Sequence, residues 1–341
     1  QGYKVGVTSN SHKAIDNVLI GLAQFEEDSG REIRIFKKAT NSLEHEMIGY
    51  GSKFDIDSVQ VFGSTYWEFC SEYLEEKFDY LVVDEAGQCG LPHILACSTA
   101  AKNLVLVGDP QQLPQPILGT HPDGVSKSCL EHILNGAETI PYDKGIFQPI
   151  SRRMHSSVCS YVSDIAYENR LYSDEQANGQ SLVLDGIKHT GVEIIKVEHY
   201  GNSQTSDEEI DAMIEYGTSL IGSVFTDRDG NTKEITWDDI LIVAPYNAQV
   251  NLIRDRMPYA KAGTVDKFQG QEAPICFLSM TSSSQEEMPR DVNFLFNQNR
   301  LNVAVSRAKV MSRIFCSPNL LQVKCNKISD IKLVNNFLKI K

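Results

Sequence analysis

The chain has 341 residues, 41% of them hydrophobic, and a formal net charge of −13. That is enough apolar content for two globular domains with separate cores, while the acidic balance excludes a general polyanion binder and confines any nucleic-acid contact to a local basic groove. The longest apolar runs are strand-sized, and nothing resembles a membrane span or a signal peptide.

In chain order, the first residues, Gln1-Gly2-Tyr3-Lys4, lack an initiator Met, so the chain is expected to be a piece of a longer one. A strand is expected over 3–8, then a helix over about 12–23 with Ile15, Val18, Leu19 and Leu22 on one face. Strands follow near 58–62, 80–83 and 104–107. After Pro116 the chain turns irregular, with Gly119, Pro122, Gly124 and Gly136 as breakers, and regular periodicity returns after Pro149. A domain boundary is expected at 144/145. The second half offers strands at 193–197, 240–243, 275–280 and 310–316, with helices near 208–222, 248–257 and 298–308. This alternation predicts an α/β chain of two parallel-sheet domains, 1–144 and 145–341, with a cleft between them. The eight cysteines are scattered singly with no CxxC pair, and Cys89, Cys97, Cys159 and Cys276 stand in apolar or helical settings. Buried free thiols in a reducing cytoplasm are therefore expected.

Two segments carry the chemistry: LVVDEAGQ, ending at Gln88, and LVLVGDPQQLP, ending at Pro114. Each is an apolar run that stops abruptly at acidic and amide side chains. The run Leu81-Val82-Val83 fits a strand covered by helices on both faces. In an open parallel sheet, ligands sit beyond the carboxyl ends of the strands, so Asp84, Glu85, Asp109 and Gln112 are expected to converge on one crevice. Hydrolysis of a nucleoside triphosphate fits that set, because magnesium bridging the β and γ phosphates needs an acidic residue at a strand end. Asp84 is the candidate for the metal, and Glu85, one residue on, for orienting and deprotonating the attacking water. Gln112 is placed to sense the γ phosphate or the water, and Asp109 belongs to the same nucleotide-facing set. Capping of a helix near Gln88 would explain a bare DEA triplet equally well, and it is the second tip, GDPQQLP, that favours the site.

Four later segments, SRRMHSS at Ser151, VAPYNAQ at Val243, GTVDKFQGQEA at Gly263 and NRLNVAVSRAK at Asn299, follow in order. With the two earlier ones they resemble the ordered motifs of superfamily 1 helicases, over nearly the whole chain. The branch resembled contains the nonsense-mediated-decay helicase and the nuclease-helicases of replication, and VGVTSNSHKAIDN is similar to bacterial proteins in which a RecB-like nuclease precedes the helicase. The resemblance implies two RecA-like domains of the P-loop NTPase fold that close on ATP, with ATP and magnesium as cofactors. It further implies single-stranded nucleic acid as partner, with DNA the expected track and 5′ to 3′ the expected direction. A nuclease domain in the same chain is a further partner it suggests.

By the same resemblance, Arg153 and Arg307 match the two family arginines that stabilise charge on the transferring phosphoryl group, a task suited to a planar, permanently charged fork. A charge at a helix carboxyl end is the plain alternative for Arg307. Arg152 stands where the family usually has an aromatic residue, and Ser156 where it has proline. In GTVDKFQGQEA, Gly270, between Gln269 and Gln271, allows close backbone approach to a phosphate or ribose, with Glu272 positioned to accept from ribose hydroxyls or to relay to the site, although a tight turn before the next strand is also required there. Tyr246 and Gln249 resemble residues near the nucleotide or the strand, and capping explains them equally. Ser11, His12 and Lys13 open a helix whose amides can hold a strand phosphate, and Thr65, after VFGS, matches the hydroxyl that contacts the next one. Tyr66 and Trp67 are available for base stacking or for core packing. Lys324, Lys327, Lys332, Lys339 and Lys341 form a basic tail that a solvated helix face explains at least as well.

No GxxxxGK[ST] loop occurs. In the family that loop lies immediately upstream of the segment at which this chain begins, so the sequence is expected to be a fragment that starts after the Walker A loop, binds ATP weakly on its own and hydrolyses it negligibly. Two other readings stay open: a nucleic-acid-binding scaffold that no longer hydrolyses ATP, and an ATP-driven motor serving an attached nuclease without separating strands.

Overall fold

In the computed structural model the described residues are 2–38, 45–114, 122 and 124–340. Gln1, Pro116, Gly119 and Lys341 lie outside them. The chain divides into two units, Gln1–Ala137 and Glu138–Lys341.

In the first unit the strands are β1 (Val5–Thr8), β2 (Ile35–Lys38), β3 (Ile48–Gly51), β4 (Val61–Gly63), β5 (Phe78–Val83) and β6 (Ala101–Leu106), with helices α1 (His12–Ser29), α2 (Tyr66–Phe69), α3 (Leu91–Cys97) and α4 (Cys129–Leu134). All six strands pair in parallel, in the order β3-β2-β4-β1-β5-β6. Ile15, Leu19 and Ala23 of α1 pack with Val7, Ile35 and Val61 of the sheet, while Phe62, Phe78, Leu81 and Val83 pack with Phe69, Ile94 and Cys97. This is the two-sided burial that near-continuous apolar strands require.

Two elements depart from the hydropathy pattern. Helix α1 continues to Ser29 through FEEDS because Glu26 is buried and its Oε1 accepts the Ile33 N–H at 2.9 Å, before Gly30 ends the helix at φ +65°. Lys37 in β2 is fully buried and donates to Asp16 of α1 at 2.5 Å, which hides a charged residue inside a strand. Conversely, the apolar run of β6 lies at the sheet edge, with Leu104, Val105 and Val107 39–43% exposed.

The second unit contains β7 (Ile150–Ser151), β8 (Tyr172–Ser173), β9 (Ser181–Leu184), β10 (Ile187–His189), β11 (Gly191–Lys196), β12 (Val224–Thr226), β13 (Thr232–Glu234), β14 (Ile240–Val243), β15 (Lys261–Gly263), β16 (Ala273–Ser279) and β17 (Ala308–Cys316). Its helices are α5 (Ser156–Ala166), α6 (Glu175–Asn178), α7 (Asp207–Leu220), α8 (Asn247–Arg256), α9 (Val292–Leu295), α10 (Gln298–Val305) and α11 (Ile328–Leu338). The main sheet is parallel, in the order β11-β17-β16-β14-β15. Every residue of β16 is buried, and Ile242, Ile275, Phe277 and Phe315 share a core with Ile210 and Met213 of α7. A separate antiparallel sheet, β10-β9-β12-β13, is built from short, mixed strands. All eight cysteines are free and six are buried; burial pushes the Cys97 thiol up to about 12. Among the described residues no helix is long and apolar enough to cross a membrane.

Candidate functional site

Because the strands of the first unit are parallel and adjacent in the order β4-β1-β5-β6, their carboxyl tips lie along one edge of the sheet. Thr65 follows β4, Ser11 follows β1, Asp84 follows β5 and Asp109 follows β6. The four expected groups of side chains therefore share one edge.

At the β5 tip, the Asp84 N–H donates to the Thr8 carbonyl at 2.8 Å. Glu85 adopts φ +54°, a left-handed conformation uncommon for a residue with a side chain and concentrated at functional sites. Its Oε2 accepts from Gln88 Nε2 at 2.8 Å, and Gln88 Oε1 accepts from Asn10 Nδ2 at 3.0 Å, so an amide relay ties Glu85 to the β1 tip. At the β6 tip, Asp109 accepts the Gln111 N–H at 2.9 Å and the Gln112 Nε2 at 3.0 Å. The two tips touch through their backbones. A Cβ on Gly108 would stand 2.7 Å from the Ala86 nitrogen, and one on Gly87 would stand 2.5 Å from the Asp109 carbonyl oxygen. Glycine at both positions is what lets Asp84-Glu85 and Asp109-Gln112 come together.

The groups fit a divalent cation and its phosphates. Burial raises the Asp84 carboxyl above its usual range, against a hydrogen bond from the Glu85 backbone, a cost that a bound cation relieves. The Thr8 hydroxyl is buried at the β1 tip without a hydrogen-bond partner. Among the described residues no three His, Cys, Asp or Glu side chains cluster to hold a metal. A cation at Asp84 would take its other ligands from phosphate and water, as magnesium does.

On the strand-facing side, Ser11 caps α1, accepting the Ala14 N–H at 3.1 Å, and with His12 and Lys13 is exposed. Thr65 begins α2 without a side-chain cap bond. Tyr66 is buried, whereas Trp67 is 65% exposed and rests against Tyr66 and His93 at 5.0 and 5.4 Å between ring centres.

In the second unit, Arg153, Glu272 and Arg307 come together at the amino ends of β16 and β17. Arg153 Nε donates to Glu272 Oε2 at 2.6 Å, and Lys309 pairs with the other Glu272 oxygen at 2.9 Å. Burial raises the Glu272 carboxyl, but the bonds from Lys309 and Arg153 outweigh it and hold the group below its usual range. Arg307 is 1% exposed, with Nε donating to the Val303 carbonyl at 2.9 Å and Nη1 to that of Gln271 at 3.0 Å. Gly270 has φ +75° and open space where a Cβ would stand, so its backbone conformation, rather than a close approach within the chain, calls for glycine there. Arg152 is exposed and its carbonyl accepts from Arg228. Tyr246 is not with this group: it follows β14, at the carboxyl end of the same sheet. Gln249 is buried and hydrogen-bonds to Ser206 and Ser279. In the basic tail, Lys332 pairs with Glu138 and Lys339 with Asp164. Sequence reasoning missed Thr8 and Lys309, which no spacing hints at.

A family model described as an AAA domain matches residues 127–319, and a second with the same description matches residues 30–118. The chain is 26% identical to the DNA replication ATP-dependent helicase/nuclease DNA2 of Gallus gallus over 94% of this chain and 32% of that protein. It is 30% identical to the putative helicase mov-10-B.1 of Danio rerio, over 72% of this chain and 28% of the relative. It is 27% identical to the DNA polymerase alpha-associated DNA helicase A of Schizosaccharomyces pombe, over 82% and 44%. The chain thus spans 28 to 44% of the length of these relatives.

Proposed function

Because the chain belongs to the AAA-domain family of superfamily 1 helicases, in the branch of the replication nuclease-helicases and the nonsense-mediated-decay helicase, we propose that it supplies motor parts of an ATP-dependent helicase acting on single-stranded nucleic acid. Magnesium-bound ATP supplies the phosphoryl group whose transfer to water drives the cycle. Asp84 would hold the cation, with the unpartnered Thr8 hydroxyl at the tip of the neighbouring strand β1. Glu85 orients the attacking water and accepts its proton. Gln112 and Asp109 sense the phosphate end. Arg153 and Arg307 offer positive charge to the transferring group, and Gly270, Gln271 and Glu272 complete the nucleotide-facing set. Ser11, His12, Lys13 and Thr65 hold phosphates of the strand. DNA is the preferred track and 5′ to 3′ the direction, on the strength of the branch.

The observation that carries this reading is the backbone contact between the tips of β5 and β6, which sets two acidic tips side by side beyond the carboxyl ends of a parallel sheet. It is tested by ATP hydrolysis of the whole protein with and without single-stranded DNA or RNA. Stimulation abolished by Glu85→Gln supports the motor, and the better polymer names its track. A folded protein that binds the strand but never turns over ATP is the scaffold instead.

A further inference from the structure

From the end of β7 towards α5, the chain that carries Arg153 has four successive carbonyls, those of Ser151, Arg152, Arg153 and Met154, and each accepts from a different donor. The Asp174 N–H takes the first at 3.0 Å and the Ser173 hydroxyl the last at 2.7 Å. The middle two are held by long side chains. Gln180 Nε2 donates to the Arg153 carbonyl at 2.7 Å, and Arg228 Nη1 to that of Arg152 at 3.1 Å. Gln180 immediately precedes β9 and Arg228 lies in the turn after β12, and the pairing of Ser181 with Thr226 brings both to the same end of the antiparallel sheet. Gln180 is 2% exposed, and the same amide nitrogen also donates to the Ala177 carbonyl at 3.1 Å. Arg228 Nη2 donates to Gln176 Oε1 at 2.6 Å, so the planar fork bridges α6 and Arg152. The turn that presents Arg228 is tied to itself: Asp227 Oδ1 accepts the N–H groups of Asp229 and Asn231, each at 2.9 Å, and Gly230 takes φ +86°.

We propose that Gln180 and Arg228 are positioning residues for Arg153, and that the hairpin of β12 and β13 braces the backbone from which this arginine reaches. The Arg152 carbonyl belongs to the peptide plane before the Arg153 Cα and the Arg153 carbonyl to the plane after it. Arg228 and Gln180 therefore hold both planes, and with them the φ and ψ of Arg153. The side chain itself is 34% exposed and rests on Glu272 and, at 3.4 Å, on the Ser306 carbonyl, partners it can exchange. A guanidinium that leaves Glu272 for a phosphate swings about its own Cα, so its reach is set by the pinned backbone. Misplacement by about 1 Å costs up to about a hundredfold in rate. Satisfying loop carbonyls accounts for a donor at each, but it does not account for the choice of donor. Arg152 is an exposed residue whose carbonyl water could serve, yet it takes a guanidinium from 76 residues further along the chain.

The inference rests on the assignment of Arg153 to the transferring phosphoryl group, and the test separates the two. Steady-state ATP hydrolysis with oligothymidylate present, and affinity for a fluorescent ATP analogue, are measured on the whole protein. The variants are Arg228→Ala, Gln180→Leu, Arg153→Ala and the double variant Arg228→Ala with Arg153→Ala. The Arg228 side chain is 35% exposed at a hairpin tip, so its truncation leaves the core untouched and decides the matter even where Gln180→Leu disturbs folding. The expected result is a fall in kcat of about tenfold in Arg228→Ala and in Gln180→Leu, with KM and analogue affinity unchanged. The double variant should turn over no more slowly than Arg153→Ala alone, because a positioning residue has nothing to act on once its arginine is gone. Arg228→Ala at the wild-type kcat overturns the proposal. So do losses that multiply in the double variant, since Arg228 then acts without Arg153, and so does a raised KM at unchanged kcat, which would place Arg228 in nucleotide binding. Arg153→Ala that hydrolyses ATP like the wild type removes the phosphoryl role of Arg153, and this inference with it.

Discussion

The Arg307 guanidinium, 1% exposed, donates to the carbonyl of Gln271 at 3.0 Å and to that of Val303 at 2.9 Å, and so stitches the end of α10 to the segment leading into β16. In this state it is part of the frame of the second unit. It can serve a phosphate only by exchanging some of these bonds. Arg153 differs: its side chain is 34% exposed and is held by Glu272 from outside the core.

Replacing the two arginines should therefore separate stability from turnover. Arg307→Ala removes the buried guanidinium bonds to the Gln271 and Val303 carbonyls, the second of which keeps the Ser306 hydroxyl, at a cost on the order of 2 kcal/mol, and should lower ATP turnover about a thousandfold or more while affecting nucleotide binding far less. Arg153→Ala should keep stability within about 1 kcal/mol, as for an exposed pair, and still lose turnover. Urea denaturation and steady-state hydrolysis on the same preparations check this. An unfolding midpoint for Arg307→Ala equal to that of the wild type would show that the carbonyl network does not hold in solution, and equal losses in turnover and binding would contradict the charge-stabilising role.

Gly108→Ala is the most direct probe of the joined tips. The added methyl would lie 2.7 Å from the Ala86 nitrogen and 2.9 Å from that of Gly87, and both are backbone atoms that cannot swing aside. The tips must separate, at a cost of about 1 to 3 kcal/mol, and Asp84 and Glu85 lose their position relative to Asp109 and Gln112. Hydrolysis should fall by at least an order of magnitude with strand affinity little changed. Full turnover by Gly108→Ala would mean that the contact is dispensable for the chemistry.

Sequence pattern revealed what hydropathy and tip chemistry encode. The expected strand 240–243 is β14 residue for residue, because four buried apolar residues leave no other reading. The acidic and amide tips after 83 and 107 stand side by side because neighbouring parallel strands place them there. What stayed hidden depends on pairing in space. β2 carries two lysines and reads as polar until Asp16 is seen to neutralise buried Lys37. The strands of the antiparallel sheet, such as TKE and IKH, are too short and mixed to show a period. Nor does spacing alone reveal that Arg307 is buried on carbonyls while Arg153 is not, since that depends on where α10 ends relative to the turn at Gly270.

Glu209, fully buried, shares a hydrogen bond with His199 and accepts from Ser279 and the Thr281 N–H at the carboxyl end of β16. Burial raises its carboxyl above the usual range despite those bonds. The folded chain thus keeps a proton that the unfolded chain has released, and stability must fall as pH rises from the ordinary carboxylate range toward the folded value. The slope cannot exceed about 1.4 kcal/mol per pH unit for one proton. Glu209→Gln removes that proton, so its stability curve between pH 5 and 8 should be flatter than that of the wild type. Parallel curves in urea denaturation at each pH would assign the dependence to other groups.

Ser11 and Thr65 follow neighbouring strands, β1 and β4, and are both read as phosphate contacts, yet the helices they open treat them differently. Ser11 accepts the Ala14 N–H at 3.1 Å, so Ser11→Ala should cost α1 about 1 kcal/mol as a lost cap as well as weakening the grip on a strand. The Thr65 hydroxyl makes no cap bond, so Thr65→Ala should leave stability within about 0.5 kcal/mol and show its effect in binding alone. Paired with His12→Ala, it should reduce both the affinity for single-stranded DNA and the dependence of that affinity on salt. Fluorescence anisotropy across a salt series, read beside thermal melts, separates the two effects. Thr65→Ala that binds like the wild type while Ser11→Ala loses both properties would assign the Ser11 effect to the helix end it caps, and would move the strand path away from the β4 tip.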